Sequence, residues 1–273
     1  MLSEKQTIMH RLKAMRFRVV KTGRNDVFEA GCYIIKRYGA KGEKRLVRER
    51  EALSLLKPYN NIYLFSFRNM LVMRKKEVVP FFDVLKKDPR LFDVLKEEHA
   101  KITGIISRMG EKEETLVWKN YLGGLCEGYP RIESLVRRIG SSLADETFEN
   151  VIHGDFGTHN IFFEEKENRI VVLDYEFARK GNLQEDLAYF IYTILKYSWE
   201  KDLYFDLLER MDGNIYPFLL KAFLADAYWQ LIGLDKCYGL KGERAGFSSR
   251  IISVLSDCTE KPFEEIAFRC GGV

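Results

Sequence analysis

Within residues 4–16 the apolar positions fall at Ile8, Met9, Leu12 and Met15, the spacing of one helix face, so an amphipathic helix is predicted to open the chain. The period then shortens to two. Residues 17–21, 26–30 and 32–38 read as strands, separated by Thr22-Gly23-Arg24-Asn25 and by Gly31, where turns are expected. Helical spacing returns over 44–56 through Leu46, Val47, Leu53 and Leu56, and residues 62–67 and 70–75 form a predicted hairpin around Arg68-Asn69. Beyond Pro80 the pattern is helical over 81–85, 90–109, 117–125 and 131–145. Three short strands then interrupt it, at 151–154, 160–164 and 170–174, the last two joined by a polar turn. From Asp186, the expected N-cap, helical spacing runs almost to the end. The expected class is α+β in two lobes. Residues 1–79 form a small antiparallel β lobe with one helix, and residues 80–273 a larger helical lobe with a β insertion.

Composition leaves this picture intact and narrows the setting. The 273 residues are 46% hydrophobic and 31% charged, the balance of an ordinary globular chain with a substantial core. The longest apolar runs, such as 188–195, fall well short of the roughly 20 residues of a membrane span, so no membrane association is expected. The start, Met-Leu-Ser-Glu-Lys, lacks the apolar core of a signal peptide. The five cysteines are scattered and form no C-x-x-C pair, which suggests free thiols and a cytoplasmic location. The net charge of +4 is unevenly spread. Residues 36–51 hold seven Lys/Arg against three Glu, whereas 185–235 hold nine Asp/Glu against four Lys/Arg. Both stretches read first as solvated helix faces, and second as neighbours of anionic phosphates and of a cationic ligand, respectively.

Chemistry concentrates in the β insertion. One strand delivers His153-Gly154-Asp155 to a loop, Asn160 opens the next strand, and the third ends at Asp174. A hairpin returning beside the loop can bring these oxygen-bearing side chains together. Magnesium favours such hard oxygen donors, so Asn160 and Asp174 are the expected metal ligands, leaving Asp155 free to accept a proton. Phosphoryl transfer needs this division: cationic charge against the phosphates, and a carboxylate orienting the attacking hydroxyl. His153 is expected to brace the loop rather than to react.

The segment HGDFGTHNIFF, followed by VVLDYEFA, resembles the aminoglycoside phosphotransferase and choline kinase-like family, which has a protein-kinase-like fold. The resemblance implies an ATP- and Mg2+-dependent kinase with Asp155 as catalytic base and with Asn160 and Asp174 on the metal. Glu176 would orient this cluster, and the element from Gly181 to Asp186 would be structural. Where the family often has Pro or Gly before the Asn, this chain has Thr158-His159, a departure placed to touch the substrate.

The resemblance also asks for a strand lysine paired with a helix glutamate, and Lys36 and Glu49 stand in those places. Taken singly, Lys36 reads equally as a solvated strand-end lysine, and Glu49 as a partner of Arg45 one helical turn away. No glycine-rich loop of the protein-kinase type is present. Gly23, Arg24 and Asn25 form the shorter turn whose backbone would face phosphate. Residues 71–75 would enter the hinge, with Met73 beside the base. The acceptor is expected to be a small hydroxylated molecule. The acidic and aromatic residues after Asp186, among them Glu185, Tyr189, Tyr197, Asp226 and Trp229, suit a cationic one, although plain helix packing explains them as well. An atypical serine/threonine protein kinase is the second reading, and a nucleotide-binding pseudokinase-type interaction module the third. Nucleic-acid binding through residues 36–50 ranks last, because it would compete for Lys36, and no obligate protein partner is implied.

Overall fold

The computed structural model describes residues 4–13, 15–22, 25–110, 117–144, 146, 149–212, 214–233 and 243–273. Helix α1 (Glu4–Lys13) precedes a five-stranded antiparallel sheet of β1 (Arg18–Lys21), β2 (Asn25–Ala30), β3 (Tyr33–Tyr38), β4 (Tyr63–Phe67) and β5 (Met70–Arg74). The strand order is β1-β2-β3-β5-β4. Strand alternation gives this sheet two working faces. Tyr33 and Ile35 pack with Ile8 and Leu12 of α1 in a small apolar cluster. Lys36 and Tyr38 belong to the opposite face and are both buried. Register places Lys36 between Val27 of β2 and Leu71 of β5.

Helix α2 (Glu43–Asn60) is longer than the predicted 44–56. Pro58 lies in its last turn, where the missing N–H removes only one backbone bond. Asn61, with a left-handed backbone at φ 49°, ends the helix. Leu46, Leu53 and Leu56 join the main core, as their spacing predicts.

The remainder follows the predicted α+β order with two additions. Strand β6 (Val79–Pro80) leads into α3 (Phe81–Leu85), α4 (Leu91–Ile106), α5 (Val117–Gly128) and α6 (Glu133–Ser142). The strands of the β insertion separate into two small sheets. In one, β8 (Ile161–Glu164) lies between β6 and β9 (Arg169–Val172); in the other, β7 (Asn150–Ile152) pairs with β10 (Arg179–Gly181). Strands β6 and β10 are too short, and too polar or proline-bearing, to carry a period-two signal. Helices α7 (Leu183–Ser198), α8 (Lys201–Glu209), α9 (Ile215–Tyr228), α10 (Glu243–Asp257) and α11 (Phe263–Gly271) complete the chain. A continuous apolar core joins α2 to α4, α7 and α9 through Leu53, Phe92, Phe190 and Phe223. The four described cysteines are free. Among the described residues no helix is long and apolar enough to cross a membrane.

One expectation is corrected. Asp186 is not the N-cap of α7; Asn182 is, its side chain accepting from the Gln184 N–H at 2.9 Å. Asp186 lies one turn inside the helix and is buried.

Candidate functional site

The catalytic-loop candidates sit where β7 ends and β8 begins. Gly154 has φ +77°, and a Cβ there would stand 2.3 Å from the Phe177 carbonyl oxygen, so only glycine lets the loop pass at that point. The loop is anchored from below by Asp186, whose carboxylate accepts from the His153 N–H at 2.7 Å and the Gly154 N–H at 2.9 Å. The same carboxylate meets His99 Nε2 of α4 at 2.9 Å. His153 braces the loop from within: its Nε2 bonds the Leu173 carbonyl at 2.9 Å, and its Nδ1 accepts from the Asp155 N–H at 3.2 Å.

Asp155 is thereby held with its carboxylate beside Asn160 and His159. Asn160 Nδ2 donates to the Asp155 carbonyl at 2.9 Å and to Asp155 Oδ2 at 3.1 Å, and His159 Nε2 lies 3.4 Å from Oδ2. Burial alone would raise the Asp155 carboxyl, but the His159 contact, the nearby His153 ring and a Tyr189 hydrogen bond outweigh it. The group is therefore held below the usual aspartate range, and it is ionised at neutral pH.

Asp174 follows β9 in a left-handed conformation (φ 70°, ψ 57°), one that aspartate tolerates better than most residues. Its carboxylate accepts from Lys36 Nζ at 2.6 Å, and Glu49 of α2 accepts from the same ammonium at 2.7 Å. The two surface readings of these residues fail: Lys36 is 6% exposed and Glu49 1%. Glu176 completes the ring, 3.3 Å from Lys36 and accepting from Asn25 Nδ2 at 2.5 Å. Burial pulls the Lys36 ammonium down, but Glu49, Asp174 and Glu176 together hold its pKa above the ordinary lysine value. Burial, reinforced by Asp174 and Glu176, raises the Glu49 carboxyl despite Lys36. Oxygens of Glu49, Asp174 and Glu176 lie within 4.8 Å of one another, a donor set of the hard type that suits a divalent cation.

Lys36, Glu49, Asn25, Met73, Asp155, Asn160 and Asp174 all line one cavity of about 500 Å3. Sequence reading named all seven as site candidates, and the fold brings them to one cavity; Gly23 and Arg24 lie outside the described residues. It missed the apolar walls of this cavity, formed by Val27, Ile34, Phe162 and Leu173. A signal existed: Ile34 stands two residues before Lys36 on β3, and Val27 is register partner to Lys36.

A second cavity, of about 510 Å3, opens on the other side of Asp155. Asp155 and His159 line both cavities. Strand β10 and helices α7 and α9 supply the far walls, with Arg179, Glu185, Tyr189, Lys221, Asp226 and Trp229. Of the two motif departures, His159 faces these cavities and Thr158 does not. Thr158 is buried, its N–H bound to Thr193 Oγ1 of α7 at 3.0 Å. The acidic-aromatic stretch also divides: Tyr192 and Tyr204 are core residues, whereas Glu185, Tyr189, Tyr197, Asp226 and Trp229 reach the cavity.

Glu185 is ion-paired to Arg179, and Lys221 Nζ reaches the same carboxylate at 2.9 Å. Burial would raise this carboxyl, but Arg179 and Lys221 overcome it and bring the pKa from 4.5 to about 2. Because the folded value lies below the unfolded one, the stabilisation is complete above about pH 4.5 and disappears as pH falls towards 2. Its size is on the order of 3 kcal/mol. Urea titrations of Glu185→Gln should show about that loss at pH 7 and a gap that narrows steadily below pH 4.5. A gap constant down to pH 2.5 would contradict this linkage.

With the geometry in place, comparison with known proteins gives a consistent result. The choline/ethanolamine kinase family protein from Mesorhizobium loti matches with a TM-score of 0.64 at 16% identity, covering 98% of both chains. Amicoumacin kinase hAmiN, solved with AMP-PNP, Ca2+ and Ami, matches with a TM-score of 0.65 at 13% identity over 95% of each chain. The chain has the protein-kinase-like fold of these kinases. A family model described as the ecdysteroid kinase-like family matches residues 105–211, a segment that contains the Asp155, Asn160 and Asp174 motifs. Acyl-CoA dehydrogenase family member 11 of Homo sapiens is 36% identical over 93 residues, 33% of this chain and 12% of that protein's length. The resemblance drawn from HGDFGTHNIFF and VVLDYEFA thus agrees with both the family model and the fold.

Proposed function

We propose that this protein is an ATP- and magnesium-dependent phosphotransferase that moves the γ-phosphoryl group to a hydroxyl of a small molecule. The observation that carries the reading is the position of Asp155 at the junction of two cavities. One cavity is lined by Lys36, Glu49, Asn160 and Asp174, and the other is large enough for a hexose-sized acceptor. Nucleotide would occupy the first, its base against Val27, Ile34, Met73, Phe162 and Leu173 and its phosphates towards Lys36. Asn160 and Asp174, with Glu176 close by, would hold magnesium, which supplies positive charge against the phosphate oxygens. Asp155, ionised and fixed by Asn160 and His159, orients the acceptor hydroxyl and takes its proton as the oxygen attacks. Glu49 keeps the Lys36 ammonium on the cleft side of β3.

The nucleotide lobe is assigned to residues 1–79 and the acceptor lobe to residues 80–273. A walled acceptor cavity suits a small molecule better than a protein segment, and the free cysteines fit a cytoplasmic location. The test is an acceptor screen: hydroxylated sugars, amines, acids and aminoglycosides are incubated with ATP and Mg2+, and ADP formation is followed. Acceptor-dependent ADP with a phosphorylated product is expected. Phosphorylation of a protein but of no small molecule would overturn the assignment.

A further inference from the structure

Helix α7 meets the catalytic loop at three successive points. Asp186 accepts from the His153 and Gly154 N–H groups. Thr193 Oγ1 accepts from the Thr158 N–H at 3.0 Å and donates to the Phe190 carbonyl at 2.7 Å. Tyr189 lies between these two, and its hydroxyl is hydrogen-bonded to the Asp155 carboxylate. Positions 186, 189 and 193 have the i, i+3, i+7 spacing of one helix face, and their partners follow the loop in the same order.

The Tyr189 contact differs in kind from those made by Asn160 and His159. Asn160 Nδ2 and His159 Nε2 both approach Asp155 Oδ2, but each belongs to the loop that carries Asp155 and turns with it. A donor on α7 ties the carboxylate instead to the wall of the second cavity, which Tyr189 also lines. Burial, and then the charge of Asp155, raise the Tyr189 phenol well above its ordinary value, so the hydroxyl keeps its proton and donates at neutral pH. An O–H bonded to an ionised carboxylate is among the stronger hydrogen bonds. The Tyr189 ring packs in turn against Tyr192, with centroids 6.0 Å apart.

We propose that Tyr189 is a positioning residue for phosphoryl transfer: through its hydroxyl, α7 aims the Asp155 carboxylate at the point in the second cavity where an acceptor hydroxyl gives up its proton. This rests on the reading of Asp155 as the base and of the second cavity as the acceptor site. Tyr189 takes no part in the bond changes. The acceptor oxygen attacks the γ-phosphorus, the bond to the β-phosphate oxygen breaks, ADP leaves, and the acceptor's proton passes to Asp155. The tyrosine sets the angle at which that carboxylate meets the acceptor.

The experiment follows steady-state ADP formation from Mg-ATP with water, glucose and glucosamine as acceptors. Tyr189→Phe, checked for folding by thermal melting, should lower kcat about tenfold and leave KM for Mg-ATP within about twofold of wild type. Tyr192→Phe is the control, since that ring lies nearly one turn further along α7, fully buried and edge-on to Phe223. It should keep kcat within about twofold. NMR of tyrosines labelled at Cζ adds a readout independent of turnover: the resonance lost in Tyr189→Phe should shift in Asp155→Asn. Wild-type kcat in folded Tyr189→Phe, an equal fall in Tyr192→Phe, a raised KM with kcat unchanged, or a Tyr189 resonance indifferent to Asp155→Asn would overturn this inference and leave the phosphotransfer reading standing. No ADP from the wild-type chain with any compound of the acceptor screen would remove both.

Discussion

Replacing Asp155 with asparagine should lower kcat by about 10³-fold while Mg-AMP-PNP binding stays near wild type. The amide still fills the space beside Asn160 and His159, so the loop geometry survives. In the proposed reaction, what disappears is the acceptor for the hydroxyl proton, needed only as the new bond forms. Asp174→Asn should behave differently. It removes a carboxylate from the donor set around Lys36, so nucleotide affinity in the presence of magnesium should fall together with turnover. Steady-state kinetics paired with calorimetric titration of Mg-AMP-PNP separates the two. Near-wild-type turnover in either variant would remove the proposed site.

Asp186→Ala should be the most destabilising of the substitutions considered. The side chain is buried and ends three interactions at once: His99 on α4, and the backbone N–H groups of His153 and Gly154. Removing it leaves these donors desolvated without a partner, a loss of about 3–5 kcal/mol. For a chain of this length that corresponds to a melting temperature lower by roughly 10 °C. Activity should fall as well, because the freed Gly154 backbone no longer holds Asp155 between the two cavities. Asp186→Asn keeps an acceptor oxygen and should recover part of the stability. Differential scanning calorimetry of the two variants tests the ordering; equal melting temperatures for Asp186→Ala and wild type would refute it.

Much of this organisation was legible in the chain. The lysine within β3, the glutamate inside the next helix, and Asp155, Asn160 and Asp174 beside strand ends all line one cavity. Asp186 was legible as an N-cap and, through the resemblance, as part of a structural element, but not as the anchor of the loop. Its anchoring role depends on His99, 87 positions away, and on backbone donors that no side-chain pattern records. The assignment of Thr158 was open for a similar reason: the side chain of Thr193 on α7 receives its N–H, while its neighbour His159 turns towards the cavities.

The sequence by itself determined the α+β order of elements, the sheet with its buried lysine, and the set of polar residues that share one cavity. Each of these follows from local periodicity or from close spacing along the chain, where neighbours in sequence remain neighbours in space. Only the tertiary structure decided which charges of the second cavity are paired. Residues 185–235 are acidic when counted along the chain, but charge is felt through space, and folding places Lys196 on Asp226 and both Arg179 and Lys221 on Glu185. A stretch that reads as a site for a cation thus has two of its acids, once β10, α7 and α9 are packed, in ion pairs with cations of the chain itself.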